Sequence, residues 1–222
     1  MNDGSKLFLS RKEILIAVIS SAIVILLSLQ TWAGISLTEA LGFVSGGICV
    51  WLVVREHLWN WPIGLANSIV FFILFWKSGL YADMWLQVIY FALGLYGWIH
   101  WLRGGPNQTQ LEVSRATPAE WIEVATFIPL ATLGLRELLI IANGAAPFWD
   151  ALTTVISLAA QWLLCRKRIE NWFLWITADL IYVPLYFNRQ LVLTGILYAV
   201  FLLMCIAGWR AWNRQLNTSP TP

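Results

Sequence analysis

The chain has 222 residues, of which 59% are hydrophobic and 12% charged, with a net charge of +2 and a mean hydropathy of +0.69. Soluble domains carry about a quarter charged residues, so this composition excludes one and indicates an integral membrane protein. With no basic face and no aromatic RNA motif, nucleic-acid binding is excluded as well.

Apolar runs near the roughly 20 residues that cross a bilayer core recur along nearly the whole chain. The first, 14–33, follows Lys6, Arg11 and Lys12 and so resembles a signal peptide, but its apolar core is longer than such a segment needs and no convincing small-x-small site follows it. It is expected to be a helix. The second, 37–54, contains Gly42, Gly46 and Gly47, which permit close helix packing. Two more, 61–76 and 84–102, precede a polar linker with the sequence RGGPNQTQ. Runs at 120–141, 149–165, 172–187 and 191–212 complete eight predicted transmembrane helices. The runs are continuously apolar and lack the ten-residue alternation of barrel strands, so the expected fold is an all-α membrane protein.

With the N-terminus inside, eleven of the fourteen basic residues fall in inner segments, leaving Lys77, Arg136 and Arg189 outside. That bias predicts both termini in the cytoplasm. Cys49, Cys165 and Cys205 form no CxxC pair, and His57 and His100 have no partner at ligand spacing, so neither a disulfide framework nor a metal site is expected.

Residues 51–101 align without a gap on residues 162–212, 111 positions later. WLVVREHLWNW meets WLLCRKRIENW, and GWIHW meets GWRAW. Eleven of the 51 pairs are identical and four are Trp on Trp, where chance would give only ~0.7 tryptophan matches. Each copy holds three helices, so the run at 120–141 between them serves as an inverter and lets both triplets point the same way. The predicted organisation is an extra helix in 1–34, a first triplet in 35–103, a linker and inverter in 104–142, a second triplet in 143–213 and a tail from 214 to 222. Parallel repeats of this kind occur among transporters.

Both triplets turn a polar and aromatic stripe in one direction. Trp172, Trp175, Asp179, Tyr182 and Tyr186 step by 3, 4, 3, 4 along one helix face. Asp83, Gln87, Tyr90, Gly94 and Gly97 step by 4, 3, 4, 3 from the start of the helix at 84–102, and Thr194, Tyr198, Phe201, Cys205 and Gly208 repeat that register. Asn60, Gly64, Asn67 and Phe71 align from the start of the helix at 61–76. A carboxylate in the middle of a membrane helix is costly unless paired, protonated or solvated, so Asp179 is expected inside the bundle. It either ties two helices together or lies on a ligand pathway. Trp172 suits an aromatic belt at the headgroup level, whereas Trp175, a turn deeper on the Asp179 face, could stack on an electron-poor or cationic ring. Asn67 and Gln87 serve either as interhelical glue or as hydrogen-bonding groups for a polar solute. Gln87 matches Tyr198, Ser68 matches Asp179 and Gly64 matches Trp175, so the halves share a frame but differ in lining chemistry.

The stretch ENWFLWITADLIYVPLYFNRQLVLTGILYAVFLLMCIAGWRAW resembles the C-terminal half of PnuC-type nicotinamide riboside transporters. The family's N-W-x-x-W, following Asp and closing Gly-aromatic-x-x-Trp stand here as Asn171, Trp172, Trp175, Asp179, Gly208, Trp209 and Trp212. NWPIGLANS and YADMWLQVIYFALGLYGWIHW are the first-repeat counterparts, and the likeness covers about residues 40–213. The resemblance implies a SWEET-like 3+1+3 fold in the bacterial inner membrane. It also implies facilitated diffusion of a B-vitamin precursor, trapping by a cytoplasmic kinase, and homo-oligomers. It implies a substrate site between the repeats, carried by position to Trp172, Trp175, Asp179, Asn67, Gln87 and Tyr198, with Tyr90 and Tyr182 on the same stripes. Thiamine and riboflavin carriers share this architecture and remain alternatives to nicotinamide riboside.

An intramembrane enzyme would need a nucleophile with its base, or metal ligands. The chain has no G-x-S-x-G, no H-E-x-x-H, no cysteine beside a histidine and no Walker A lysine motif. No catalysis and no cofactor are expected. A scaffold, in which the stripes are only helix contacts, is the other competing class.

Overall fold

The computed structural model describes residues 37–77, 79, 81–142, 146–188 and 192–218; the expected helix at 14–33 lies outside the described residues. Among them seven α-helices follow in order: α1 (Leu37–Val54), α2 (Asn60–Lys77), α3 (Tyr81–Arg103), α4 (Pro118–Ile141), α5 (Pro147–Cys165), α6 (Asn171–Asn188) and α7 (Val192–Thr218). Of these α4, α5 and the 195–218 part of α7 are each both long and apolar enough to cross a membrane. The chain forms two compact units, 1–95 and 96–222, divided within α3.

Helix ends recur at the spacing of the sequence repeat. Val54 and Cys165, Asn60 and Asn171, Lys77 and Asn188, and Tyr81 and Val192 are each 111 residues apart. The turns between the first two helices of each triplet repeat bond for bond. Glu56 and Lys167 take φ of 54° and 55°, left-handed values that end α1 and α5. The His57 and Arg168 amides then reach back to the carbonyls of Leu52 and Leu163 at 2.8 and 2.9 Å, and those of Glu56 and Lys167 donate to Val53 and Leu164 at 2.9 Å. In each copy an asparagine restarts the helix: Asn60 Nδ2 donates to the His57 carbonyl at 3.0 Å, Asn171 Nδ2 to that of Arg168 at 2.6 Å.

In the first unit Ser45 Oγ donates to Asn67 Oδ1 at 3.0 Å, joining α1 to α2. Helices α2 and α3 meet at Leu65 and Gly94, where a Cβ on the glycine would lie 2.9 Å from a Leu65 methyl.

The second unit is built around α5, whose residues from Ala151 to Cys165 are mostly buried. Helices α4 and α6 both pack on it, with Val124, Ala159 and Leu163 at the centre of the junction and Leu174 against them. Helix α4 buries only Glu120, Val124 and Thr132. Ile122, Leu130, Leu133 and Leu138 are exposed, as suits a helix facing hydrocarbon.

The linker before α4 is tied to the turn after α5. Thr117 and Glu120 form a reciprocal capping box with Pro118 in the first turn. The Glu120 side chain, 3% exposed, also accepts from Arg166 at 2.8 Å and Arg168 at 3.1 Å. That bond holds the Arg166 guanidinium above its ordinary pKa. Ser114 pairs with the turn through backbone bonds to Lys167 and Ile169, and Glu170 accepts from the Ala116 amide. Lys167, itself buried, donates to the Leu111 carbonyl at 2.8 Å with its ammonium 4.6 Å above the Trp101 ring.

Candidate functional site

The predicted stripes of α6 and α7 are in contact and form one antiparallel seam. At its end nearest the linker, Trp172 lies over Gly208, where an added Cβ would come within 2.4 Å of the indole, and meets Trp212 edge-on at 5.4 Å. Only glycine allows that approach. Trp172 is 1% exposed, so it works as packing at the foot of the seam.

Farther along, the Cys205 thiol donates to Asp179 Oδ2 at 3.6 Å, and both side chains are buried. Next come the tyrosines. Tyr182 and Tyr198 have ring centroids 4.6 Å apart, Tyr186 stacks on Tyr198 at 5.1 Å, and Phe201 meets Tyr198 edge-on at 5.8 Å. On α5 the Thr153 and Ser157 hydroxyls donate to carbonyls one turn back. Pro184 sits inside α6 between these tyrosines, leaving one carbonyl of the helix without its usual donor. Trp175 stands one turn before Asp179 and is half-buried.

Asp179, Tyr182 and Tyr198 are therefore brought together, with Trp172 below them and Trp175 beside them. The first-unit candidates are spread out. Asn67 is engaged with Ser45, Tyr90 is half-buried on α3, and Gln87 lines a groove of about 190 Å3 with Ser68, Ile69, Phe72, Val88 and Phe91. By the 111-residue repeat, Ser68 and Gln87 occupy the places of Asp179 and Tyr198.

Two contributors were not singled out from the sequence. Cys205 was visible on the α7 stripe, but nothing in its spacing revealed its hydrogen bond. The Glu120 junction was foreshadowed by T-P-A-E, a capping-box pattern, opposite the basic run RKR. Among the described residues no cluster of His, Cys, Asp and Glu could hold a metal.

A helical bundle with a buried acid and stacked phenols inside it is the arrangement of a multi-pass membrane protein that handles a solute. A family model described as nicotinamide mononucleotide transporter matches residues 36–214, and the chain belongs to this PnuC-type family. The nicotinamide riboside transporter PnuC of Escherichia coli (strain K12) is 30% identical over 205 residues, covering 80% of this chain and 85% of that protein. The riboflavin/roseoflavin transporter RibM of Streptomyces davaonensis is 28% identical over 180 residues, covering 79% and 84%. The crystal structure of the vitamin B3 transporter PnuC matches the fold with a TM-score of 0.67 at 22% identity, covering 95% of this chain and 94% of that one. The chain is thus a transporter rather than an enzyme.

Proposed function

We propose that this chain carries nicotinamide riboside across a bacterial cytoplasmic membrane by facilitated diffusion, with both termini in the cytoplasm. A cytoplasmic kinase then traps the solute by adding a phosphate that cannot recross. The observation that carries the reading is the face of α6 that sets half-buried Trp175 beside Asp179 and the Tyr182–Tyr198 pair. It stands in a chain whose relatives include nicotinamide riboside transporters. The residues proposed to meet the solute are Trp175, Asp179, Tyr182 and Tyr198 in the second triplet, with Trp172 supporting them. In the first triplet they are Gln87, Tyr90 and Asn67. Riboflavin is the second reading, favoured by the similarity to RibM.

The proposed architecture is SWEET-like: two parallel triplets joined by α4 as inverter, with residues 14–33 as an eighth helix. The 111-residue recurrence of helix ends and turn hydrogen bonds supports it. Homo-oligomers in the bilayer are part of the same proposal.

The test is thermal stabilisation of the purified protein in detergent by nicotinamide riboside, thiamine and riboflavin. A ligand at a hundred times its Kd adds about 2.7 kcal/mol of stability, and a non-ligand adds nothing. Trp175→Ala should remove that stabilisation while the protein still folds and inserts. Retained affinity would remove Trp175 from the site. Counterflow in vesicles should persist without sodium or proton gradients, and its collapse would contradict facilitated diffusion.

A further inference from the structure

The two seams matched by the 111-residue repeat are closed to different degrees. Among the described residues α6 and α7 are the most extensively paired helices, whereas α2 and α3 are not among the closely paired ones. Fasteners run the length of the α6–α7 seam. Trp172 sits over Gly208 at one end, Cys205 donates to Asp179 in the middle, and Tyr182 and Tyr186 both meet Tyr198 beyond it. Phe187 closes the far end over Gly195, where an added Cβ would come within 3.1 Å of its ring.

In the α2–α3 seam Leu65 meets Gly94, and beyond that level the helices part around the groove of about 190 Å3, with Ser68, Ile69 and Phe72 on one wall and Gln87, Val88 and Phe91 on the other. The residues at matched positions account for the difference. Phe71 and Phe75 stand where Tyr182 and Tyr186 stand, and each pair stacks at 5.7 Å, but the ring of Tyr198 is replaced by the Gln87 amide. Met84 takes the place of Gly195, and Gly94 that of Cys205. Helices packed to interior density have one arrangement, while a pair separated by a groove that lipid chains can fill loses little by changing its spacing.

We propose that the α2–α3 seam is the moving joint of this transporter: the half beyond Leu65 and Gly94 opens and closes during the cycle, while α6 and α7 stay together as one rigid pair. The inference rests on the transport reading and adds which copy of the repeat moves. Two equally packed copies of one frame would share the motion, but here only the first has room to change. Helix shifts of this kind take microseconds to milliseconds, so a frozen sample holds both arrangements.

The experiment measures distances between spin labels in each seam by pulsed electron paramagnetic resonance, with the full chain in lipid nanodiscs. Labels at Val70 and Trp85 report on the first seam and labels at Leu180 and Ile196 on the second, all four being exposed positions. The first distance should be broad or two-peaked, with a spread or a shift on adding nicotinamide riboside of more than about 2 Å, and the second narrow and constant. A covalent lock gives the functional arm: Ile69→Cys and Val88→Cys, on opposite walls of the groove, are bridged by a short bis-thiosulfonate reagent. Bridging should stop counterflow of nicotinamide riboside, and cleaving the bridge with a reductant should restore it. The unsubstituted chain, treated with the same reagent, is the control for its own thiols. Two narrow and constant distances, a second distance that moves as far as the first, or counterflow that survives bridging overturns the joint and leaves the transport reading standing. Wild-type protein that exchanges no nicotinamide riboside overturns that reading for this solute, and the label distances in the unliganded protein then decide the joint alone.

Discussion

The turn at 55–60 and the turn at 166–171 have one backbone and two occupations. Both end a helix on a left-handed residue and restart the next with an asparagine that bonds three residues back. In the first copy the left-handed residue is Glu56, and His57 follows it. In the second it is Lys167, which reaches the Leu111 carbonyl and Trp101, and Arg168 follows, bound to Glu120 and Ser114. Duplication thus supplied a turn that stands on its own main-chain bonds, and the side chains of the second copy were free to anchor the linker and α4. The seams differ in the same way. Ser68 and Gln87 line an open groove in the first copy, whereas Asp179, Cys205 and Tyr198 fill the equivalent place in the second. Turn geometry is the shared part; charge, aromatic content and the closeness with which the following two helices pack are the divergent part.

The sharpest way to break this comparison is Glu120→Ala. Removing the acid would leave two arginines without their partner and α4 without half of its capping box. Because Arg166 and Arg168 are 31% and 23% exposed, solvent offsets part of the loss. A cost of about 2–3 kcal/mol is expected, below the range for fully buried pairs, read as a lower apparent melting temperature in detergent. Next in size is Gly208→Ala, which drives a methyl into the Trp172 ring and should cost about 2 kcal/mol. Gly64→Ala is its control, since nothing lies within 4 Å of an added Cβ there, and the helix should gain up to about 1 kcal/mol. A cost at Gly64 comparable to that at Gly208 would refute the tight-slot account. The smallest effect is at the left-handed residue of the second turn. Lys167→Gly relieves an unfavourable φ but gives up a charge-assisted hydrogen bond and a cation–π contact, for a net loss of about 1 kcal/mol. A net gain in stability would show that Lys167 contributes nothing to the anchor.

Much of this was legible in the residues. The runs at 37–54, 149–165 and 172–187 coincide with α1, α5 and α6 to within two residues, because continuous apolar stretches bounded by charged turns admit few other conformations. The repeat was visible because tryptophans are rare enough to mark a register. The stripe from Trp172 to Tyr186 was read correctly as one helix face. What that face meets was not readable, since periodicity locates a face without naming its partner. Trp172 and Asp179 looked alike as polar or amphipathic residues on a greasy helix, yet one fills a slot over Gly208 and the other accepts from Cys205.

The sequence by itself determined the membrane class, the order of the helices, the 111-residue frame and the family, because those depend on composition, chain-local hydrophobic length and identity. Tertiary structure alone decided that α6 and α7 turn their stripes onto each other, that Asp179 has a thiol for its neighbour, and that the linker is fastened to the second turn through Glu120. Those pairings join residues 26 to 48 positions apart. They are chosen by the fit of one helix surface against another, a property that no single stretch of chain contains.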